Sequence, residues 1–222
     1  MVQLWWIIHK DLTSEIKTGQ VWPPLCLYSV LVAVVFSFQM DLLPDQRSRI
    51  AGSLLWLTTF FAGMLTMDRT FVAEREEGCW HALRLYPLSP TTIYFAKLAV
   101  NIITLAVMQL ILIALLVMIS DLPLVNHPWM MLGVAALGNL GIAAVGTLFS
   151  ALSLSMRRNN SILSLLVLPV VIPVLIAATQ ATQLLCEANL SEPLWRWMQL
   201  LIVFDVVFVA AGAVLIDFIV EE

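Results

Sequence analysis

One uncharged stretch, residues 161–179, constrains the fold of this chain more than any other feature. It reads SILSLLVLPVVIPVLIAAT and contains Pro169 and Pro173. It is about the length that crosses a bilayer, and in water two prolines would break such a helix. In a membrane bundle, neighbouring helices can satisfy the carbonyl groups that each proline frees. Because the prolines lie about one turn apart, both kinks fall on one face. The stretch predicts a kinked transmembrane helix inside a bundle.

Composition extends this interpretation to the whole chain. Of 222 residues, 61% are hydrophobic and 12% are charged, whereas a soluble domain is about half apolar and a quarter charged. We predict six spans, at about residues 22–40, 50–67, 97–119, 129–154, 162–183 and 194–218. The predicted fold is an all-α integral membrane protein with a single domain over residues 1–222.

Residues 1–20 differ from the spans because their apolar residues repeat every four positions. The apolar stripe consists of Leu4, Ile8, Leu12 and Ile16, joined by Trp5. Charged side chains lie on the other faces. This pattern predicts an amphipathic helix that lies in the membrane interface.

The distribution of lysine and arginine predicts the orientation, since these residues are enriched in cytoplasmic loops. One side carries eight of them, namely Lys10, Lys17, Arg69, Arg75, Arg84, Lys97, Arg157 and Arg158. The other side carries three, namely Arg47, Arg49 and Arg196. Both termini and the loop at residues 68–95 are therefore expected in the cytoplasm.

The loop at residues 68–95 is the largest polar feature, and we interpret it as a docking element. An acidic stretch, Glu74-Arg75-Glu76-Glu77, leads to Gly78, which allows a sharp turn. Trp80, Leu83 and the Tyr86–Pro87 region then form an apolar patch on a predicted short helix. An exposed patch of this kind without a partner would be a liability. The alternative is a solvated loop with an incidental patch.

Several functions lack the motifs that they would need. The chain has no GxxxxGK[ST] loop to hold ATP phosphates and no HExxH motif. Its cysteines form no CxxC pair, and its histidines, His9, His81 and His127, fall in separate segments. The net charge of −4 and the lack of a basic stripe give no support to nucleic-acid binding.

Asp205 is predicted to lie roughly ten residues into the sixth span. A carboxylate near the centre of a span costs about 2.5–3.5 kcal/mol on insertion scales, so it should face the bundle, pair or be protonated. A gating or proton-coupled role is one interpretation. The other is a structural hydrogen bond to Asn101, Gln109 or Asn139. Both remain open at this point.

Small residues lie along one side of the fourth span, at Gly138, Gly141 and Ala144. Small side chains allow helices to approach closely. We predict a packing seam within the chain here, with an interface to a second permease as the alternative.

The long loop resembles the coupling region of ABC-2-type permeases. The shared features are an E-R-E-x-G turn at residues 74–78, a short helix, the Pro-Leu-Ser-Pro segment at 87–90, and Ala96–Lys97 opening the next span. In that superfamily the short helix inserts into a groove of a separate ATPase subunit. The resemblance thus implies docking through Glu74, Arg75, Glu76, Glu77, Gly78, Trp80, Leu83, Tyr86 and Pro87.

Other residues narrow the resemblance to the heme exporter permeases of bacterial cytochrome c maturation, the heme exporter protein B family. These are Arg49-Ile50-Ala51 followed by Trp56, the loop positions Asp68-Arg69, Phe71, Gly78, Leu83 and Pro87-Leu88, and the helix with Pro169, Pro173 and Ala178-Thr179. The resemblance covers nearly the whole chain. It implies an ABC-2 (type V exporter-like) bundle in the bacterial inner membrane.

The same resemblance implies a non-catalytic transport subunit. ATP would be bound by the cytoplasmic ATPase partner, and heme would be the cargo of the complex rather than a tightly bound cofactor of this chain. Other cytochrome c maturation subunits would carry the heme-binding residues. The second membrane half would be another copy of this chain or a different subunit. The predicted spans carry no obvious axial heme ligand, which favours release of a heme-loaded chaperone over heme export.

Two other functions are weighed against this one. An ABC-2 permease that exports a lipid, drug or polysaccharide fits the loop equally well but fits the double-proline span less well. An intramembrane enzyme would need a nucleophile and a base that converge on one cavity, and Asp205 alone does not supply them.

Overall fold

The computed structural model describes residues 2–19, 21–42, 47–67, 70, 89–120, 127–155, 160–187 and 192–221. Within these residues the chain forms seven helices and no strand. They are α1 (Val2–Thr18), α2 (Trp22–Leu42), α3 (Arg47–Met67), α4 (Pro90–Ser120), α5 (Pro128–Ser155), α6 (Asn160–Cys186) and α7 (Glu192–Glu221). The all-α prediction is confirmed.

Five helices, α3 to α7, are long and apolar enough to cross a membrane. Their spanning stretches are Arg49–Met67, Pro90–Met118, Pro128–Ser153, Leu166–Cys186 and Glu192–Phe218. A sixth span is reached when α1 and α2 are taken together, since Leu4–Lys17 and Trp22–Phe38 pass the same test as a bent pair. The chain is therefore a multi-pass membrane protein with up to six spans.

Gly19 forms the bend between α1 and α2. Its backbone has a φ of 59°, a left-handed conformation that glycine adopts without steric cost. Its N–H donates to the carbonyl of Glu15 at 3.2 Å, which closes the last turn of α1 in the usual way for a helix that ends at glycine. The helix thus stops before Trp22, where α2 begins.

Helix α5 lies at the centre of the bundle and packs against α3, α4, α6 and α7. Its Gly138 faces the indole of Trp56 on α3 so closely that a Cβ atom at this position would overlap the ring. Trp56 is fully buried, and its Nε1 donates to Thr182 Oγ1 on α6 at 2.9 Å. The predicted packing seam within the chain is confirmed.

Helix α6 continues through Pro169 and Pro173, but its proline face points away from the other helices. Both prolines are exposed, as are the neighbouring Leu168 and Ile172. The opposite face carries the buried contacts of α6, which are Val167, Val171, Val174, Ala177 and Ala178. The stretch is a helix of the bundle, as predicted, and it packs against α3, α5 and α7. The prolines do share one face, but α6 is rotated so that its valine and alanine face packs inward.

We expect Gly138→Ala to destabilise the bundle by about 1–3 kcal/mol, because the added methyl group would displace the Trp56 ring from a packed interior. Gly133→Ala on the same helix is the matched control, since a Cβ atom there would lie 3.7 Å from Met198 Cε, an ordinary contact. The measurement is the temperature at which half of the detergent-solubilised protein is lost from the monodisperse peak in size-exclusion chromatography. Equal midpoints for the two variants would contradict the proposed role of Gly138.

Candidate functional site

The long polar loop between α3 and α4 is the candidate site, and the described residues show how both its ends are held. The predicted docking residues lie outside the described residues; they are Glu74, Arg75, Glu76, Glu77, Gly78, Trp80, Leu83, Tyr86 and Pro87. Their contact with an ATPase stays a prediction. The structure instead describes the end of α3 with Thr70 and the start of α4 from Ser89.

A hydrogen-bonded cluster holds the end of α3, and we call it the loop anchor. It consists of Met67, Thr70, Asn101, Thr147 and Ser150. The Met67 carbonyl accepts from Ser150 Oγ at 2.8 Å and from the Thr70 N–H at 3.1 Å. Thr70 Oγ1 donates to Asn101 Oδ1 at 3.1 Å, and Asn101 Nδ2 donates to Thr147 Oγ1 at 2.8 Å. The point where the chain leaves α3 is therefore tied to both α4 and α5.

Side-chain packing reinforces the loop anchor. The thioether of Met67 lies directly against Gly146 of α5, where a Cβ atom would overlap the sulfur. Met67 is also buried. Because the same residue both packs on α5 and accepts two hydrogen bonds, the end of α3 cannot shift without disturbing α5.

The start of α4 is set by Ser89 and Pro90. Ser89 occupies the N-cap position, where its side-chain oxygen contacts Thr92 Oγ1 at 2.6 Å and the Thr92 N–H at 3.4 Å. Serine is favoured at this position, and proline at the first helical residue. This local signal explains why α4 begins at Pro90, ahead of the predicted start of the span near Lys97.

A buried ion pair joins α1 to α4. Lys97 Nζ lies 2.9 Å from Asp11 Oδ2, and the two side chains are only 6% and 11% exposed. One turn further along α1, Glu15 Oε2 accepts from Thr104 Oγ1 at 3.3 Å. Ile8 of α1 packs beside the pair with Ala96 and Val100 of α4. The amphipathic helix is therefore held to α4 by both apolar and charged contacts.

Sequence reasoning missed this ion pair. In the sequence, Lys97 indicated only the orientation of the chain and the start of a span that resembles those of ABC-2-type permeases. A usable signal was present, because Asp11 and Glu15 lie four residues apart and so share a face beside the apolar stripe of α1. Two carboxylates at the edge of an apolar stripe that packs on another helix indicate that a polar partner covers them.

Asp205 is buried in the interior of the bundle, with 3% of its surface exposed. No described residue forms a hydrogen bond with either of its carboxylate oxygens. The expected structural partners are engaged elsewhere, since Asn139 Nδ2 donates to Gln109 Oε1 at 2.7 Å and Asn101 belongs to the loop anchor. The structure therefore shows no hydrogen bond from Asp205 to Asn101, Gln109 or Asn139.

The spans and the polar loop held between two of them define a multi-pass membrane protein. Comparison with known families gives a particular assignment. Residues 2–219 match the family model described as CcmB protein. The chain therefore belongs to the CcmB protein family, and the family resemblance found in the sequence is confirmed.

Relatives named heme exporter protein B match most of the chain. The protein of Rhodobacter capsulatus is 25% identical over 170 residues, which cover 77% of this chain and 78% of the relative. That of Bradyrhizobium diazoefficiens is 27% identical over 190 residues, covering 83% of each. That of Escherichia coli K12 is 28% identical over 185 residues, covering 81% of each.

Replacement of one member of the buried ion pair should lower the stability of the protein. We expect Lys97→Met to destabilise the protein by about 3–5 kcal/mol, because the largely buried Asp11 carboxylate would lose its buried cation. The double variant Asp11→Leu/Lys97→Met should regain most of that loss, since apolar pairs often replace buried ion pairs without cost. Thermal midpoints in detergent provide the measurement.

Lys10→Met is the matched control for the ion pair. Lys10 lies 3.7 Å from the same carboxylate, but its side chain is 69% exposed. Exposed pairs contribute less than about 1 kcal/mol. If Lys10→Met lowered the midpoint as much as Lys97→Met, burial of the Lys97 pair would not be the source of the effect.

Proposed function

We propose that this chain is the membrane subunit of an ATP-binding-cassette complex that serves the biogenesis of c-type cytochromes. The observation that carries the proposal is the family match over residues 2–219. It is supported by relatives named heme exporter protein B that each align over about four-fifths of their own length. The complex would export heme or release a heme-loaded chaperone.

A separate ATPase subunit supplies the energy in this proposal. The chain itself carries no GxxxxGK[ST] motif for binding ATP phosphates. We therefore propose that Trp80 and Leu83, together with the acidic turn at residues 74–78, dock into an ATPase on the cytoplasmic side.

The loop anchor supports this route of coupling. Movement imposed on the loop would act on the end of α3 through Met67 and Thr70, and the hydrogen bonds of Asn101 and Ser150 would pass it to α4 and α5. At the other end of the loop, Ser89 caps α4 directly. Because both ends of the loop are fixed to the spans, movement imposed on those ends would reach α3, α4 and α5.

The orientation and the assembly belong to the same proposal. Eight lysines and arginines against three favour both termini on the cytoplasmic face of the bacterial inner membrane. A second membrane half, either another copy of this chain or a different cytochrome c maturation subunit, would complete the complex. The chain would have no catalytic activity of its own.

The docking step is tested with a double substitution in the loop. We expect Trp80→Ala/Leu83→Ala to abolish co-purification of the ATPase subunit, because the apolar patch would be lost. Trp129→Ala/Leu132→Ala is the matched control, since it removes the same residue types at the same spacing from exposed positions on α5. Size-exclusion profiles establish that both variants remain folded. Retention of the ATPase by the Trp80/Leu83 variant would refute docking at this patch.

The cellular function is tested by deletion of the gene and detection of covalent heme. We expect all c-type cytochrome bands to disappear from a peroxidase-stained denaturing gel, while b-type heme remains. The wild-type gene and the Trp129/Leu132 variant should restore the bands, and the Trp80/Leu83 variant should not. Normal bands in the deletion strain would reject the heme proposal and favour an ABC-2 exporter of a lipid, drug or polysaccharide.

A further inference from the structure

Asp205 lies in the middle of the face that α7 packs against the bundle. Its buried residues are spaced four or seven positions apart, at Leu194, Leu201, Asp205, Gly212 and Ile216. The outward positions beside it, among them Val203, Val206 and Val207, are exposed. The carboxyl group of Asp205 therefore occupies a position on the buried face of α7, where an apolar side chain is expected.

The carboxyl group fits into a notch on α5. Asp205 Oδ1 lies 2.8 Å from the point that a Cβ atom of Gly141 would occupy. The two methyl groups of Val174 on α6 lie 3.1 and 3.2 Å from the same point. Gly141 leaves room for the carboxyl group, and the other atoms nearest to that point are the two methyl groups of Val174.

No cation faces Asp205 from the helices that pack closely against α7. Helix α5 has no charged residue, and the only titratable side chain on α6 is Cys186 at its end. On α4, Lys97 pairs with Asp11, and Tyr94 lies against Gly212, two turns along α7 from Asp205. The other charged residues of α7 lie near its ends, at Glu192, Arg196, Asp217 and Glu221.

We propose that Asp205 is a proton-binding site, and that its protonated form is required for α7 to pack at Gly141 of α5. An isolated carboxylate in an apolar interior carries a desolvation penalty of many kcal/mol, so such a group takes up a proton instead. The neutral carboxyl group can then donate its proton to a carbonyl oxygen of the neighbouring helix. Ionisation transfers the proton to water and leaves a charge that must be hydrated, which separates α7 from α5 at this point.

This inference goes beyond the proposed function and does not depend on it. A proton site between α5 and α7 would make the position of the last span sensitive to pH, whether or not an ATPase docks on the loop. The two proposals can therefore fail separately.

The protonation state is tested by infrared spectroscopy of the full chain in lipid nanodiscs. In the difference spectrum between the wild type and Asp205→Asn, we expect a band of a protonated carboxylic acid at neutral pH. This band should shift in D2O, and it should be present in the wild type and absent from Asp205→Asn. Asparagine is the appropriate replacement because it is neutral and nearly the same size. A carboxylate band in place of the acid band at neutral pH would overturn the proposal.

The packing consequence is tested by cross-linking across the same pair of helices. Cysteines introduced at Gly133 of α5 and Met198 of α7 report on the distance between these two helices. A Cβ atom at position 133 would lie 3.7 Å from Met198 Cε. Native Cys26, Cys79 and Cys186 are first replaced by alanine. With a short thiol-reactive cross-linker, we expect the wild-type Asp205 background to lose the cross-linked band as pH rises.

The Asp205→Asn background carries the same cysteines and therefore controls for the pH dependence of thiol chemistry. It should retain its cross-linked band at every pH at which the wild type loses it. Identical pH profiles in the two backgrounds would overturn the proposal. So would cross-linking that depends on Na⁺ or K⁺ together with a carboxylate band, because that result would indicate a bound monovalent cation instead of a proton.

Discussion

Close packing on the glycines of α5 is the constraint on which the rest of the structure depends. Lipid tails are as apolar as leucine side chains, so spans associate through fit and hydrogen bonding rather than through the hydrophobic effect. Gly138 accommodates Trp56, Gly141 accommodates Asp205, and Gly146 accommodates Met67. Three contacts with neighbouring helices are thus made at places where α5 has no side chain.

The same contacts connect the interior of the bundle to the loop between α3 and α4. Met67 packs on Gly146 and also accepts hydrogen bonds at the point where α3 ends. Trp56, about three turns earlier on α3, joins that helix to α6 through Thr182. A displacement of α3 would therefore also displace α4, α5 and α6. The membrane domain is thus suited to move as a unit.

Hydropathy was sufficient to predict the helices because the bilayer dictates their length and composition. It could not predict which way each helix faces. The shared face of Pro169 and Pro173 followed from their spacing, but its outward direction depends on the rotation of α6. The position of Asp205 within the last span was predictable in the same way, whereas the sequence could not show that Gln109 and Asn139 face each other. The docking residues of the loop were inferred from an apolar patch and from family resemblance, and they remain a prediction.

The Asp11–Lys97 pair also has a consequence for the order in which the protein is made. Helix α1 leaves the ribosome before its ionic partner, because Lys97 belongs to α4 and is synthesised only after α2 and α3. The nascent chain must therefore keep Asp11 hydrated at the membrane surface until Lys97 emerges. Docking of α1 onto α4 is therefore a late event in biogenesis, which follows the insertion of α4 into the bilayer.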